Sequence, residues 1–442
     1  MKYTPVIGLE VHVELKTKSK MFCSCSADYF GKKPNTHTCP VCLGLPGALP
    51  VANKQAIEWC IKIGLALNCN ICLFSKFDRK NYFYPDLPKG YQISQYDKPF
   101  CEKGSINVKS GNKTKIIGIT RVHQEEDTGK LIHDFVNGKK VSLIDFNRSG
   151  VPLVEIVTEP DFESAEEVVD YLKKLQQIVR YLDVSNADME KGDMRLEPNI
   201  SIKLAGQQGL PNFKIEVKNI NSFKFVEKAI NYELKRQKEL LEKGETPKQE
   251  TRGWNEKKQI TQSQRSKEEA NDYRYFPEPD LPPFRFKQEY IDKLKSQLPE
   301  LPYQKFKRFQ KEFGLSEYDS EILTRDKKMA AYFEQTAKIG KENKLTPKQI
   351  ANEIINKKID VETISITELI NQISSKSQFA QVDDKELEEA IKKVLSEQQK
   401  AVDDYKSGKV EVIGFLLGLV RKSLKTPVSP GQIKSKIEEV LK

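Results

Sequence analysis

The stretch Val6-Ile7-Gly8-Leu9-Glu10-Val11-His12-Val13-Glu14-Leu15 constrains the fold more than any other. Ile7, Leu9, Val11, Val13 and Leu15 recur at every second position, with Glu10, His12 and Glu14 between them. That is the two-residue period of a strand, whose successive side chains point to opposite faces. One face must be core. The other carries two carboxylates and an imidazole, which a metal–phosphate site uses and which a half-solvated edge strand also tolerates.

The same sorting recurs downstream. From Ile116 to Asp127, one side carries Ile117, Ile119, Arg121, His123 and Glu125, and the other Thr120, Val122, Gln124 and Glu126. Arg195, Glu197, Asn199, Ser201 and Lys203 alternate with apolar Leu196, Ile200, Ile202 and Leu204, and Lys214, Glu216 and Lys218 alternate with Phe213, Ile215 and Val217. Four strands with one ionisable face each are expected to share an antiparallel sheet whose polar face is a concave platform. Further strands are expected over Val141–Asn147 and Val151–Val157. Ser164-Ala165-Glu166-Glu167 reads as a capping box opening a helix with Val168, Leu172, Leu175 and Val179 on one stripe. Ser222 caps another helix that Gly244 ends. The fold class expected is α+β.

A chain of 442 residues is too long for one core. Asp272–Pro283 contains four prolines, is expected to hold no regular element, and marks the end of a first domain. Beyond Tyr290 the strand signal stops, Ser374 to Asp384 reads as a junction, and Leu387, Ile391, Val394, Leu395 and Val402 stripe a last helical unit. Domains are therefore expected over 1–286, 287–382 and 383–442. No stretch is apolar for long enough to span a membrane, and Met1–Pro5 has no apolar signal region, so a cytoplasmic or organellar-matrix protein is expected.

Eight cysteines in such a compartment are thiols or metal ligands. Cys23-Ser24-Cys25 and Cys39-Pro40-Val41-Cys42, joined by a turn-rich loop, match a knuckle presenting four thiolates to zinc; buried reduced cysteines are the alternative. Cys60, Cys69, Cys72 and Cys101 lie among apolar residues and read as structural. Neither a G-x-x-x-x-G-K-[ST] loop nor a G-x-G-x-x-G fingerprint occurs. A sheet of carboxylates and histidine binding Mg²⁺ can hold ATP instead, with lysine or arginine stabilising the charge that develops in phosphoryl transfer. Arg79 and Lys80, in an aromatic, proline-rich loop, could meet phosphate or carboxylate. The excess of 73 Lys+Arg over 63 Asp+Glu permits a nucleic-acid partner without requiring one.

The motifs Val6–Leu15, Lys80-Asn81-Tyr82-Phe83-Tyr84-Pro85-Asp86, Val154-Glu155-Ile156-Val157-Thr158-Glu159-Pro160-Asp161, Lys218–Phe223 and Asp272–Asp280 strongly resemble the B-subunit family of aspartyl/glutamyl-tRNA amidotransferases. The resemblance implies a glutamine-synthetase-like cradle domain, a helical domain and a small tail that helps hold tRNA. It implies ATP-dependent phosphorylation of the carboxylate on misacylated Glu-tRNA(Gln) or Asp-tRNA(Asn), then displacement of phosphate by ammonia. The ammonia would come from a partner amidase, the A subunit of a heterotrimer, held in place by the small C subunit. By the same resemblance Glu10, His12, Glu125 and Glu216 hold Mg²⁺, Cys23, Cys25, Cys39 and Cys42 hold structural zinc, and Lys218 and Arg274 join Arg79 and Lys80 around the substrate. Where the family has Arg-Cys-Asp-Ala-Asn, this chain has Arg195-Leu196-Glu197-Pro198-Asn199, so Glu197 offers its carboxylate on a longer arm and its role as a ligand is left open. The competing class is a non-catalytic, zinc-containing tRNA-binding scaffold.

Overall fold

The computed structural model describes residues 3–266, 273–377, 384–424, 428 and 430–441, and divides into two compact units, Met1–Lys305 and Phe306–Lys442. In chain order the first unit contains strands β1 (Tyr3–Glu14), β2 (Asn70–Ile71), β3 (Phe74–Ser75), β4 (Asp78–Asn81), β5 (Tyr91–Ser94), β6 (Cys101–Ser110), β7 (Lys113–Glu126), β8 (Lys130–Val136) and β9 (Lys139–Asp145). They are followed by β10 (Pro152–Thr158), β11 (Met194–Leu204), β12 (Ile215–Lys218), β13 (Glu250–Asn255), β14 (Ile260–Ser266), β15 (Phe276–Pro277) and β16 (Phe284–Arg285). Helices α1 (Lys54–Ala66), α2 (Ala165–Tyr181), α3 (Phe223–Glu242) and α4 (Gln288–Ser296) complete this unit.

Nine strands form one sheet in the order β14-β13-β12-β11-β1-β10-β7-β6-β2, antiparallel throughout except for the β12–β13 pair. The first strand of the sequence is therefore central, between β10 and β11. Its odd positions Ile7, Leu9, Val11 and Val13 are buried in the same core as Val168, Leu172 and Leu175 of α2 and Val226, Ala229 and Ile230 of α3. With helices covering one face, the other is left for polar side chains, the arrangement of an α+β layer. Ser164 accepts a hydrogen bond from the Glu167 amide as a cap should, but the Glu167 carboxylate takes the Glu163 amide and the Ser110 hydroxyl, so the reciprocal half of the expected box is redirected.

One expectation needs correcting. The proline-rich run Asp272–Pro283 is not devoid of regular structure, because Phe276–Pro277 pairs with β4. That segment is an edge strand, where proline sacrifices no ladder bond. The strand expected from Val141 is present as β9, and it pairs with β8 across the turn Asn137-Gly138, outside the large sheet.

α5 (Pro302–Phe313) runs across the boundary, and the second unit is otherwise helical among the described residues: α6 (Glu317–Thr324), α7 (Lys327–Glu342), α8 (Pro347–Asn356), α9 (Ile366–Ser377), α10 (Asp384–Glu397), α11 (Gln399–Lys406), α12 (Val412–Ser423) and α13 (Pro430–Leu441). Two cores serve it, one built on Phe309, Phe333, Ile350 and Leu369 and one on Leu387, Ile391, Leu416 and Ile433. Ser374–Ser377 close α9 rather than opening a linker, and residues 378–383 of the expected junction lie outside the described residues. Among the described residues, no helix is long and apolar enough to cross a membrane.

Candidate active site and metal centres

Strand register assembles the polar face. His12 of β1 lies opposite Glu155 of β10, and Glu155 lies opposite His123 of β7, with Glu125 two residues further along that strand. His12 Nε2 is 3.4 Å from a Glu125 oxygen and 3.6 Å from a Glu155 oxygen. His123 Nε2 lies 3.2 Å from Glu155 and 4.0 Å from Glu125. One ligand atom each from His12, Glu125 and Glu155 fall within 4.8 Å of one another, a spacing compatible with a single cation. Burial works against a charged His12, but the hydrogen bond and charge of Glu155, with Glu125 and Glu197 behind them, raise it to about 9. Burial likewise opposes ionisation of Glu155, yet His123 and His12 hold it well below the usual carboxylate range.

A second trio lies on the other side of β1. Glu10 is opposite Glu197 of β11, and Asn199 of β11 is opposite Glu216 of β12. Glu10, Glu197 and Glu216 also bring ligand atoms within 4.8 Å of one another. Asn199 donates to Glu10 at 3.1 Å, Thr251 donates to Glu216 at 2.7 Å, and the Lys218 ammonium sits 2.9 Å from Glu197 and 3.4 Å from Glu216. Burial, aided by Glu216, raises Glu197 despite the opposing charges of Lys218 and His12. The four residues Glu10, His12, Glu125 and Glu216 are thus divided between two trios, and Glu197 stands in one of them. Glu155 and His123 were not singled out by the sequence. A lone acid inside the apolar run Val151–Val157 is the signal that could have found Glu155, since a buried charge requires partners.

The flanking cations part company. Strand alternation on β4 sends Lys80 toward the first trio: its ammonium lies 5.0 Å from the Tyr273 ring, and Glu125 and Glu155 outweigh the cost of its burial and raise its pKa. Arg79 points the other way, bidentate to Glu278 at 2.7 and 2.9 Å, 3.1 Å from Asp280, and over the Tyr91 ring. Arg274 is exposed, and its carbonyl accepts from Asn81 at 2.8 Å. Further along the sheet Arg195 pairs with buried Asp127. Beside Glu10, a cleft of about 320 Å³ is lined by Gly8, Pro160, Asn199, Phe213 and Lys214 among others.

The four thiols of Cys23, Cys25, Cys39 and Cys42 lie within 4.8 Å of one another. A hydrogen bond from Cys23, with the Lys20 ammonium close by, pulls Cys42 down to about 5 despite its burial. The set supplies a thiolate at neutral pH and the S₄ donors that a structural metal takes, so the residues fit zinc. Cys60, Cys69 and Cys101 are buried in the core and Cys72 donates to Glu102, as expected of structural thiols.

Comparison with known proteins meets this geometry. A family model described as the GatB/GatE catalytic domain matches residues 5–292, and one described as the GatB domain matches residues 330–441. The chain is 47% identical to the B subunit of the aspartyl/glutamyl-tRNA(Asn/Gln) amidotransferase of Thermoanaerobacter pseudethanolicus, with the full length of both covered. It is 46% identical to that of Thermodesulfovibrio yellowstonii, again over both full lengths, and 45% identical to that of Thermotoga maritima, over all of this chain and 99% of the relative. A sheet that gathers two acid trios around its central strand, followed by a helical unit, is thus matched along its whole length, and the chain belongs to the GatB family of amidotransferase B subunits.

Proposed function

We propose that this chain activates the side-chain carboxylate of misacylated Glu-tRNA(Gln), Asp-tRNA(Asn) or both, using ATP, within a heterotrimer whose amidase member supplies ammonia and whose small third member clamps the other two. The observation that carries this reading is the pair of acid trios on one face of one sheet, His12/Glu125/Glu155 and Glu10/Glu197/Glu216. Divalent cations such as Mg²⁺, when bound there, neutralise phosphate charge during transfer. The cleft beside Glu10 offers the apolar wall Pro160 and Phe213 to a base and sugar, with Asn199 and Lys214 at its polar rim. Lys80 and Lys218 bring ammonium groups to the two trios and suit the charge on the transferring phosphoryl group. The terminal phosphorus of ATP passes to the carboxylate oxygen and ADP leaves; ammonia then attacks the carbonyl carbon, phosphate departs and a proton is released.

Arg79 serves this site by bracing β4 against Glu278 rather than by touching phosphate. Exposed Arg274 stands at its border. Cys23, Cys25, Cys39 and Cys42 hold zinc for folding, not chemistry. The boundaries 1–286, 287–382 and 383–442 mark a cradle, a helical domain and a tRNA-holding tail, and the protein works in the cytoplasm or an organellar matrix. Ser374-Ser375-Lys376 matches the Ser-Ser-Lys constellation of an amidase in letters only, without its glycine- and serine-rich setting; it ends a helix, the Ser375 hydroxyl donating to the Gln372 carbonyl, and is not the source of ammonia.

The test is the assembled complex with its partner amidase inactivated at the nucleophilic serine, given ammonium, Mg-ATP and each charged tRNA in turn. Amide formation with ammonium but not glutamine is expected, and Glu125→Ala should abolish it while charged tRNA still binds. The absence of any ATP turnover with either tRNA, with tRNA binding intact, would establish the scaffold reading instead.

A further inference from the structure

Strands β8 and β9 form a ribbon of two strands that pairs with nothing else among the described residues. Residues 132–140 are all exposed, so neither face of the ribbon is covered, and Phe135 near the tip is 70% exposed. An isolated two-stranded ribbon is marginally stable in water, so one that projects with apolar side chains on display needs a use. Its turn, Asn137-Gly138, has both residues at positive φ, 52° and 75°, the tight geometry that keeps the two strands twisted together. Seven residues of strand make a finger roughly 20 Å long. Its first residue, Lys130, follows Glu125 by five positions.

The root of this finger is fastened to the cysteine knuckle. Asn35, in the loop between the two cysteine pairs, donates from its amide to Asp145 at 3.0 Å and from its side chain to the Ile144 carbonyl at 3.0 Å, and accepts from the Phe146 amide at 2.8 Å. Asn147 donates to the Lys33 carbonyl at 2.8 Å and accepts from the His37 amide at 2.8 Å, and Ser149 donates to the Cys42 carbonyl at 3.1 Å. Arg148 closes the other side by donating to the carbonyls of Thr128 and Gly129. The knuckle thus aims a rigid base.

The geometry points to the ribbon β8–β9 as a finger that holds the unpaired 3′ end of tRNA beside the acid trios, Phe135 stacking on a base and Lys139 and Lys140 meeting phosphates. This rests on the reading that the reacting carboxylate arrives on tRNA. Three cations, Lys130, Lys139 and Lys140, face no carboxylate within ion-pair distance among the described residues, whereas the finger's own acids are engaged: Asp134 accepts from the Phe135 amide and Asp145 from the Asn35 and Asn147 amides. An exposed aromatic beside unpaired lysines is the combination that binds single strands through stacking and phosphate contact. Lysine is depleted at the cores of protein interfaces, which disfavours a protein occupant.

The experiment uses the assembled complex and two uncharged tRNA(Gln) transcripts, one whole and one lacking its last four nucleotides. The wild type should bind the whole transcript about tenfold more tightly. Phe135→Ser combined with Lys139→Ala and Lys140→Ala should bring that ratio to about one without weakening the truncated transcript. The slope of log affinity for the whole transcript against log salt should fall by about 1.4, two single-strand phosphate contacts. Asn35→Ala, which leaves the tip intact, should lower the ratio about threefold. An unchanged ratio in the triple variant, or equal loss on both transcripts, overturns the finger while leaving the tRNA reading of the protein in place. Dissociation of the partner proteins from the complex with the ratio unchanged makes the ribbon a protein-docking element and overturns it too. Failure of the wild type to bind either transcript removes the tRNA reading and the finger together.

Discussion

The two acid trios flank the same strand yet are balanced by different cations. At His12/Glu125/Glu155 the counter-charge is built in: His12 is raised to about 9, and buried His123 contacts both glutamates. At Glu10/Glu197/Glu216 there is no histidine, and the Lys218 ammonium and a raised Glu197 take that part. Two clusters of acids can therefore be kept on one face without mutual repulsion unfolding it, but by different means. On the proposed reading, a metal ion entering the first would displace a proton, whereas one entering the second would displace or share a lysine.

The largest effect should come from Glu155→Ala. It removes one carboxylate of the first trio and leaves His12 and His123 facing each other, so amide formation by the complex should fall about 10²–10³-fold with tRNA affinity little changed. Activity within tenfold of wild type would deny the first trio its role.

The next difference is read in the pH dependence of stability. A histidine raised from 6.5 to about 9 contributes stability that is fully present below pH 6.5 and is lost as the pH rises through 9. In metal-free protein this amounts to about 3 kcal/mol. Glu14, pushed up to about 8 chiefly by burial and then by Asp127, loses stability in the same direction between pH 4.5 and 8, so the comparison must be with His12→Asn, which should flatten only the His12 part. Urea melts at pH 6 and pH 9 measure it, and saturating Mg²⁺ should favour the high-pH end. Identical pH profiles for variant and wild type would show that His12 carries no extra proton.

Lys218→Met should act more mildly, lowering kcat about tenfold and raising Glu197 further by removing its nearest positive charge. The replacement Glu197→Gln, which removes the repulsion with Glu216, should restore part of the protein's stability in that background but not its activity. Smallest in catalysis should be Arg79→Met: breaking the bidentate pair to buried Glu278 costs stability, about 3 kcal/mol, while kcat changes less than threefold in folded complex. A large kcat loss there would move Arg79 into the site.

Much of this architecture was legible because it is local. The alternation of β1, β7, β11 and β12 follows from a period of two, the caps Ser164 and Ser222 from hydrogen bonds spanning one turn, and the meeting of Cys23, Cys25, Cys39 and Cys42 from a short loop. Glu155 was passed over because its strand reads as a continuous apolar run, which describes a core strand equally well. Of the β8–β9 ribbon only β9 was foreseen, although Asn137-Gly138 is a strong hairpin signal, since β8 sets Leu131-Ile132 and Phe135-Val136 in adjacent pairs around His133 and Asp134 and shows no clean alternation.

What the sequence by itself determined is which residues of each strand turn toward solvent and which toward the helices, because that depends only on the parity of positions along one segment. What only the tertiary structure decided is which acids meet. Glu10 finds Glu197, and His12 finds Glu155, through pairings that join residues far apart in the chain, and a slip of one residue in either pairing would turn every side chain of that strand to the other face. Which groups Lys80 and Arg79 meet on their opposite faces was settled in the same way, by the partners β4 acquired from β5 and the distant β15. Register is fixed by packing of the whole sheet against its helices, and no single segment contains it.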